Sequence, residues 1–246
     1  MRYRGTKITK REILASISII AFMVLIGISI SNSISEYHME KNEIYNTAIQ
    51  IDSPELFKHC MDTSTGKAFV YGDIEAVETV TFPEIGGEYI YVKKVEERYE
   101  RHERIVTKED ADGNEYTEVE VYYEWDHQKT DQKYVENIKF CNIIFPYEKI
   151  ILPSPDYIET IKGDKVYSYK SGERVKVRFL YYGIGTKYTG TIFTDLRNGT
   201  ISDNTKFYNN KDIQTTLDQL NSIEDLVLFI FWSVWIFIII LIVIGF

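Results

Sequence analysis

The chain has 246 residues and a formal net charge of −9, with 37 acidic against 28 basic residues. That length fits one domain plus accessory segments, and an acidic body argues against nucleic-acid binding, which needs a basic face. The acidity is that of a water-facing domain, and the opening residues Arg2, Arg4, Lys7, Lys10 and Arg11, against Glu12 alone, stand apart from it.

Residues 13–30 are apolar and uncharged, interrupted only by serines and a glycine. At ~1.5 Å per residue they reach about 27 Å, close to the thickness of the bilayer hydrocarbon. A basic leader and small residues near Ser31 and Ser33 also fit a signal peptide. The apolar run is longer than a signal core, however, and no Ala-x-Ala site follows, so an uncleaved span over 13–31 is the better reading. Residues 226–246 form a second uncharged span. By the positive-inside rule the leader, residues 1–12, stays cytoplasmic, the intervening chain faces outward, and the second span returns. Trp232 and Trp235 are expected as an approximate interfacial belt. Ser222 is placed to cap the second span, with Glu224 and Asp225 at its positive end.

Between the spans, residues 32–65 read as a juxtamembrane helical region. Ile34, Tyr37, Ile44, Tyr45 and Ala48 recur at helical spacing, and Ser53-Pro54-Glu55 starts a fresh short helix. From Gly66 the chain turns β-prone. Gly86-Gly87 leads into a long central hairpin that runs out from Glu88, turns at Asp112-Gly113 and returns from Glu115 to Trp125. On its return arm Val119, Val121, Tyr123 and Trp125 share one face, expected to be core, while Glu118, Glu120, Tyr122 and Glu124 share the wet face. The charged tip is expected to be mobile. Residues 126–137 are polar and carry no clear pattern, and residues 140–152 read as strand or irregular core around Pro146. A second β region follows, in which Val175, Val177, Phe179 and Tyr181 alternate with Arg174, Lys176 and Arg178. Asn198-Gly199 marks another hairpin turn, and Ile213, Leu217 and Leu220 predict a short amphipathic helix before the second span.

Little of this carries chemistry. The thiols Cys60 and Cys141 and the four histidines, His38, His59, His102 and His127, show no zinc spacing and no nucleophile signature. No catalytic, cofactor-binding or metal residue is therefore expected, and no cofactor. Cys60 and Cys141 form a disulfide in an oxidising compartment or remain two buried thiols; both readings stand. The many carboxylates are what a charged hairpin needs, and Asn198-Gly199-Thr200, although it matches a glycosylation acceptor, is explained by the turn. The 19 tyrosines suit sheet faces, but tyrosine exposed on a hairpin also suits protein contact. Tyr91, Tyr99 and Tyr122 are the candidate partner-binding residues.

The order of features resembles the transmembrane protein 43 (LUMA) family. The resemblance is carried by Gly66-Lys67-Ala68-Phe69-Val70-Tyr71-Gly72, then Tyr89-Ile90-Tyr91-Val92-Lys93-Lys94-Val95-Glu96-Glu97-Arg98-Tyr99, then Tyr122-Tyr123-Glu124-Trp125. Gly163-Asp164-Lys165-Val166-Tyr167 and Arg174-Val175-Lys176-Val177-Arg178-Phe179 continue it, over most of residues 15–226. It departs where the family usually shows Asn-Glu-Gly after the first span and this chain has Asn32-Ser33-Ile34, and animal members carry further spans. The resemblance implies a membrane protein with a large non-cytoplasmic domain that acts through partners. The membrane-flanked domain of a mitochondrial ubiquitin ligase shares the span–domain–span plan, without the RING module that supplies that family's chemistry.

The fold expected is α+β, a β-rich extracytoplasmic domain (residues 66–225) held between two transmembrane helices. The function expected is a non-enzymatic scaffold or sensor in the cell membrane. Its partners are other membrane proteins or a second copy of itself, and no nucleic acid. A membrane-tethered hydrolase-type enzyme and a subunit of a transport complex are the alternatives. The latter is weakened because neither span carries an ionisable residue.

Overall fold

The computed structural model describes residues 10–245, so most of the basic leader lies outside it. Helix α1 (Lys10–Thr47) is continuous over 38 residues. That is about 57 Å, nearly twice a bilayer's hydrocarbon thickness, so one helix supplies an apolar segment and a polar stalk beyond it. Helix α4 (Ile223–Gly245) runs back along it. Both helices are long and apolar enough to cross a membrane, with mean hydropathy of 2.7 and 3.2 in their most apolar windows. A soluble core helix of that composition would be covered by protein, whereas only 6% of either window is buried.

The two helices meet through tryptophans. Trp235 Nε1 donates to the Met23 carbonyl at 3.0 Å, and Trp232 Nε1 donates to Ser31 Oγ at 3.3 Å. Gly27 leaves the space for this seam, because a Cβ there would lie 2.6 Å from Trp235 Nε1. Trp232 and Trp235 thus pack α4 against α1, a role the sequence did not suggest. Ser222 also differs from expectation. It is the C-cap of α3 (Ile213–Asn221), with helical φ and ψ, and its hydroxyl donates back to the Gln219 carbonyl.

After α1 come β1 (Ile49–Ile51), α2 (Pro54–Asp62) and β2 (Gly66–Ala76). The region expected to be helical thus also contributes a strand, β1, which pairs in parallel with β2. Ser53 caps α2 by accepting from the Leu56 amide, with Pro54 in the first turn, as the sequence predicts. Then follow β3 (Tyr91–Glu109), β4 (Glu115–Tyr134), β5 (Asn137–Phe140), β6 (Ile143–Pro146), β7 (Ile150–Ile151), β8 (Asp156–Tyr167), β9 (Arg174–Ile184), β10 (Lys187–Leu196) and β11 (Thr205–Asn209). They form two sheets. One has the order β6-β5-β2-β10-β11-β7, with β1 also on β2; the other has the order β4-β3-β9-β8.

The main core lies on one face of the first sheet. Phe57, Cys60 and Met61 from α2 pack there with Ala68, Val70, Ile74, Ile138, Phe140 and Phe145. On the opposite face Tyr45, near the end of the stalk, packs edge-on against Phe193 at 4.9 Å and near Phe69, tying α1 to the sheet. A smaller cluster of Phe82, Val92 and Tyr181 covers one face of the second sheet. Cys60 and Cys141 are both buried free thiols. Burial, with the Asp73 charge nearby, pushes the Cys141 thiol up to about 12. Gly72 leaves the room that Cys141 fills, since a Cβ there would overlap its Sγ.

Candidate functional site

The central hairpin is longer than its sequence suggested. β3 and β4 stay paired from Tyr91↔Tyr134 to Glu109↔Glu115, with one bulge opposite Glu96 and Glu97. Residues 126–134, polar and without pattern in the sequence, are the proximal part of β4. The tip is closed by its own hydrogen bonds. Asp110 accepts from the backbone amides of Asp112 and Asn114 at 2.9 and 2.8 Å, and Gly113 takes φ +84°. β9 supports β3 only from Tyr91 to Arg98. Beyond that point residues 99–109 and 115–125 form a two-stranded arm that leaves the sheet, about 36 Å long at ~3.3 Å per residue.

The expected core face of this arm is not core. Val119, Val121 and Tyr123 are 55%, 42% and 50% exposed, and Ile105, on the same face, is 75% exposed. Trp125 is half-buried. The reason lies in which side of the second sheet is covered. Val175, Val177, Phe179 and Tyr181 of β9 point to the side that Phe82 and its loop close over, and they are buried or half-buried. The register Arg98↔Val177 and Arg98↔Asp126 puts Val119, Val121, Tyr123 and Trp125 on the opposite side. Beyond Tyr99 and Trp125 at its base, nothing among the described residues covers that side of the arm.

A lone two-stranded ribbon is marginal in water, so local pairs must hold this one. On the side that faces Phe82's cluster, Arg104 pairs with Glu120 and Lys108 with Glu118, at 2.7 and 2.6 Å. Tyr122 stacks on His102 with ring centres 5.2 Å apart. On the open side Tyr99 stacks on Tyr123 and tilts against Trp125. The guanidinium of Arg178 lies 4.2 Å over the Trp125 ring while pairing with Glu97, and the Lys176 ammonium lies 5.8 Å over Tyr99. Trp125 also walls a hollow of about 460 Å³ together with Lys162, Gly163, Lys165, Lys176 and Arg178.

At the base of the arm a polar cluster clamps the β8–β9 turn to the hairpin. His102 Nε2 lies 2.8 Å from Asp126 Oδ1 and 3.5 Å from Glu124. Lys170 Nζ is 3.0 Å from Asp126 Oδ2 and 3.2 Å from both ring nitrogens of His102. Beneath it the buried Glu100 accepts from Ser168 Oγ at 2.6 Å, and that oxygen accepts in turn from the amides of Lys170 and Ser171. Ligand atoms of His102, Glu124 and Asp126 lie within 4.8 Å of one another, close enough to share a cation. The Lys170 ammonium already contacts two of the three, Asp126 and His102, and a divalent ion there would compete with it. Sequence reasoning passed over the cluster because its members lie at 102, 124, 126 and 170 and only the strand register unites them.

The clamp has a pH signature. Burial raises the Asp126 carboxyl, but hydrogen bonds from Lys170 and His102 outweigh it and hold the group below its ordinary 3.8. A depressed folded value means that the clamp contributes fully above about pH 3.8 and is lost as the pH falls through the folded value. Asp126→Asn is therefore expected to lower stability at neutral pH while flattening the acid limb of the stability profile. Acid unfolding curves that superimpose for parent and variant would show that the clamp contributes nothing.

Of the three tyrosines singled out by sequence, the fold brings none together. Tyr91 lies at the proximal end of β3, donates to Gln132 Oε1 at 3.2 Å and lines an apolar hollow of about 570 Å³ with Tyr147, Ile150 and Leu152. Tyr99 shares its side of the sheet but sits at the base of the arm, and Tyr122 lies on the other side against His102. The fold and site define a β-rich α+β domain between two apolar helices, with a long hairpin arm standing out from its smaller sheet. No family model matches the chain, and neither curated proteins nor solved structures provide a match.

Proposed function

We propose that this chain is a two-span membrane protein whose β-rich domain lies outside the cytoplasm and acts as a non-enzymatic scaffold or sensor, engaging membrane partners through the hairpin arm. One observation carries the reading: the arm is built and held in place, yet Ile105, Val119 and Val121 on its open face have no cover among the described residues. Apolar residues on a projecting, pre-ordered ribbon are a docking surface whose ordering cost has already been met in folding. The basic leader supports the orientation, and the two apolar helices support the tether. The resemblance to the transmembrane protein 43 family, which implies action through partners, points the same way.

The test is to shorten the arm in register. His102 faces Tyr122 across the ribbon, so residues 103–121 can be replaced by an Asn-Gly turn joining that pair. The removed residues bury little, and the shortened protein is expected to fold and insert like the parent. Recovery of native partners on purification from membranes should fall about tenfold or more, a loss of at least ~1.4 kcal/mol of binding. Full recovery of every partner by the shortened protein would contradict the reading.

A further inference from the structure

We infer that the occupant of the arm's open face is a second copy of this chain, the two arms packing face to face in opposite directions. This rests on the arm being an interaction element and names what it binds. The open face is ordered along its length in three zones. At the base, Tyr99 and Trp125 are ringed by Lys162, Lys165, Lys176 and Arg178. Arg178 is paired with Glu97, but no carboxylate partners Lys162, Lys165 or Lys176 among the described residues. In the middle stand Ile105, Val119 and Val121, all exposed, and on the base side of them the same face carries Arg101 and Glu103, which pair with each other. At the tip Glu109 and Glu115 oppose each other on this same face, followed by Asp110 and Asp112, and residues 109–115 contain no basic residue.

These zones are symmetrically spaced. The basic, aromatic end is the row Tyr99↔Trp125 and the acidic end is the row Glu109↔Glu115. Their midpoint falls between Glu103↔Val121 and Ile105↔Val119, where the apolar side chains sit. A two-fold axis through that midpoint lays the acidic tip of each copy on the lysines of the other and sets Val121 against Val119, with Glu103, already paired with Arg101 of its own chain, beside Ile105. The surface is therefore self-complementary, as an isologous interface must be. The parallel arrangement would set acid against acid at the tips and lysine against lysine at the bases, which excludes it. In a chain of net charge −9, the unpaired lysines are a local exception placed where a partner's acids arrive.

The contact is small. Two strands over about 36 Å give roughly 400 Å² per copy, half of the ~800 Å² per partner usual for a stable complex. Free domains should pair weakly, and two copies confined to one membrane gain the effective concentration that makes the pairing count. The test therefore uses the full chain in membranes. Val121→Cys, beside the axis, should form a disulfide-linked dimer under mild oxidation, and Glu120→Cys, on the other side of the strand, should not. The triple variant Glu109→Lys, Asp112→Lys, Glu115→Lys, and the triple variant Lys162→Glu, Lys165→Glu, Lys176→Glu, each carrying Val121→Cys, should each lose the cross-link at least tenfold. Co-expressed, they should recover it, because each altered end then meets its opposite; a folding defect would not be repaired in this way. Equal cross-linking at Glu120→Cys and Val121→Cys would mean random collision and overturn the pairing. Absence of the Val121→Cys dimer, where arm shortening still abolishes partner recovery, would assign the face to a different protein: this inference falls and the interaction reading stands. If both the dimer and the partner loss are missing, both fall.

Discussion

Phe57→Ala is expected to destabilise the sheet domain by ~3–5 kcal/mol, the range for deleting a fully buried aromatic ring. Phe57 has no exposed surface and packs edge-on to Phe140 at 5.7 Å and tilted against Phe145 at 6.3 Å. Its helix, α2, has only 9 residues and attaches through Phe57, Cys60 and Met61, so no second row of contacts takes up the loss. Neighbouring rings come from the short strands β5 and β6, which are pinned by the pairing Phe140↔Ile143 and cannot collapse into the cavity. Urea unfolding of the detergent-solubilised protein measures the effect. Trp125→Ala is the comparison, expected to cost far less because Trp125 is a half-covered residue at the base of the arm. Similar losses for the two variants would mean that the arm is part of the core after all.

Gly190→Ala is expected to cost ~3 kcal/mol, the upper part of the range for overpacking. Gly190 lies at the centre of the first sheet, opposite Gly72 on β2 and Asn209 on β11. A Cβ there would collide with the Tyr208 carbonyl oxygen and would also lie 2.8 Å from the Phe207 ring. The first obstacle is backbone already committed to a ladder, so relief requires β11 to shift. Gly185→Ala provides a neutral control, because its Cβ meets nothing closer than the Tyr188 hydroxyl at 3.5 Å and its φ is ordinary. Thermal melts of the two variants, compared with the parent, decide the point. Equal melting temperatures would show that β10 and β11 are more loosely joined than their register implies.

What the sequence made legible follows from what local chemistry can specify. Ser53-Pro54 starts α2 because the cap and the missing amide act within one turn. Asn198-Gly199 turns the chain because both residues accept positive φ, here +54° and +71°. The period of two in β9 identified buried Val175, Val177 and Tyr181 correctly. The same period in β4 identified residues that share a face but misjudged its exposure. Alternation says which side chains lie together, whereas the side that is covered depends on where the loop bearing Phe82 settles. No pattern within β4 encodes that choice.

Non-local pairs were equally silent. His102, Asp126 and Lys170 meet only through the hairpin register and the β8–β9 turn, and Lys176 reaches Tyr99 only because β9 lies beside β3. Cys141-Asn142 shows the opposite failure. Both take positive φ, +47° and +64°, to join β5 to β6; Asn142 is a type that accepts it, but Cys141 is not, and the pair does not announce a turn as Asn-Gly does. Trp232 and Trp235 suggested an interface with lipid headgroups, and Gly27, which receives them, drew no notice because a glycine within an apolar run has many uses.

The central claim is that the arm stands on the side of the membrane opposite the basic leader. Single cysteines at Thr6 and Asp112 test it directly in intact cells with a thiol reagent that cannot cross the membrane. The native thiols are buried, and Cys141 in addition is held protonated, so the unsubstituted chain supplies a low background. Asp112, in the acidic tip of the arm, should label without permeabilisation, and Thr6 only after it. Labelling of Thr6→Cys in intact cells while Asp112→Cys stays protected would place the arm in the cytoplasm and contradict the account.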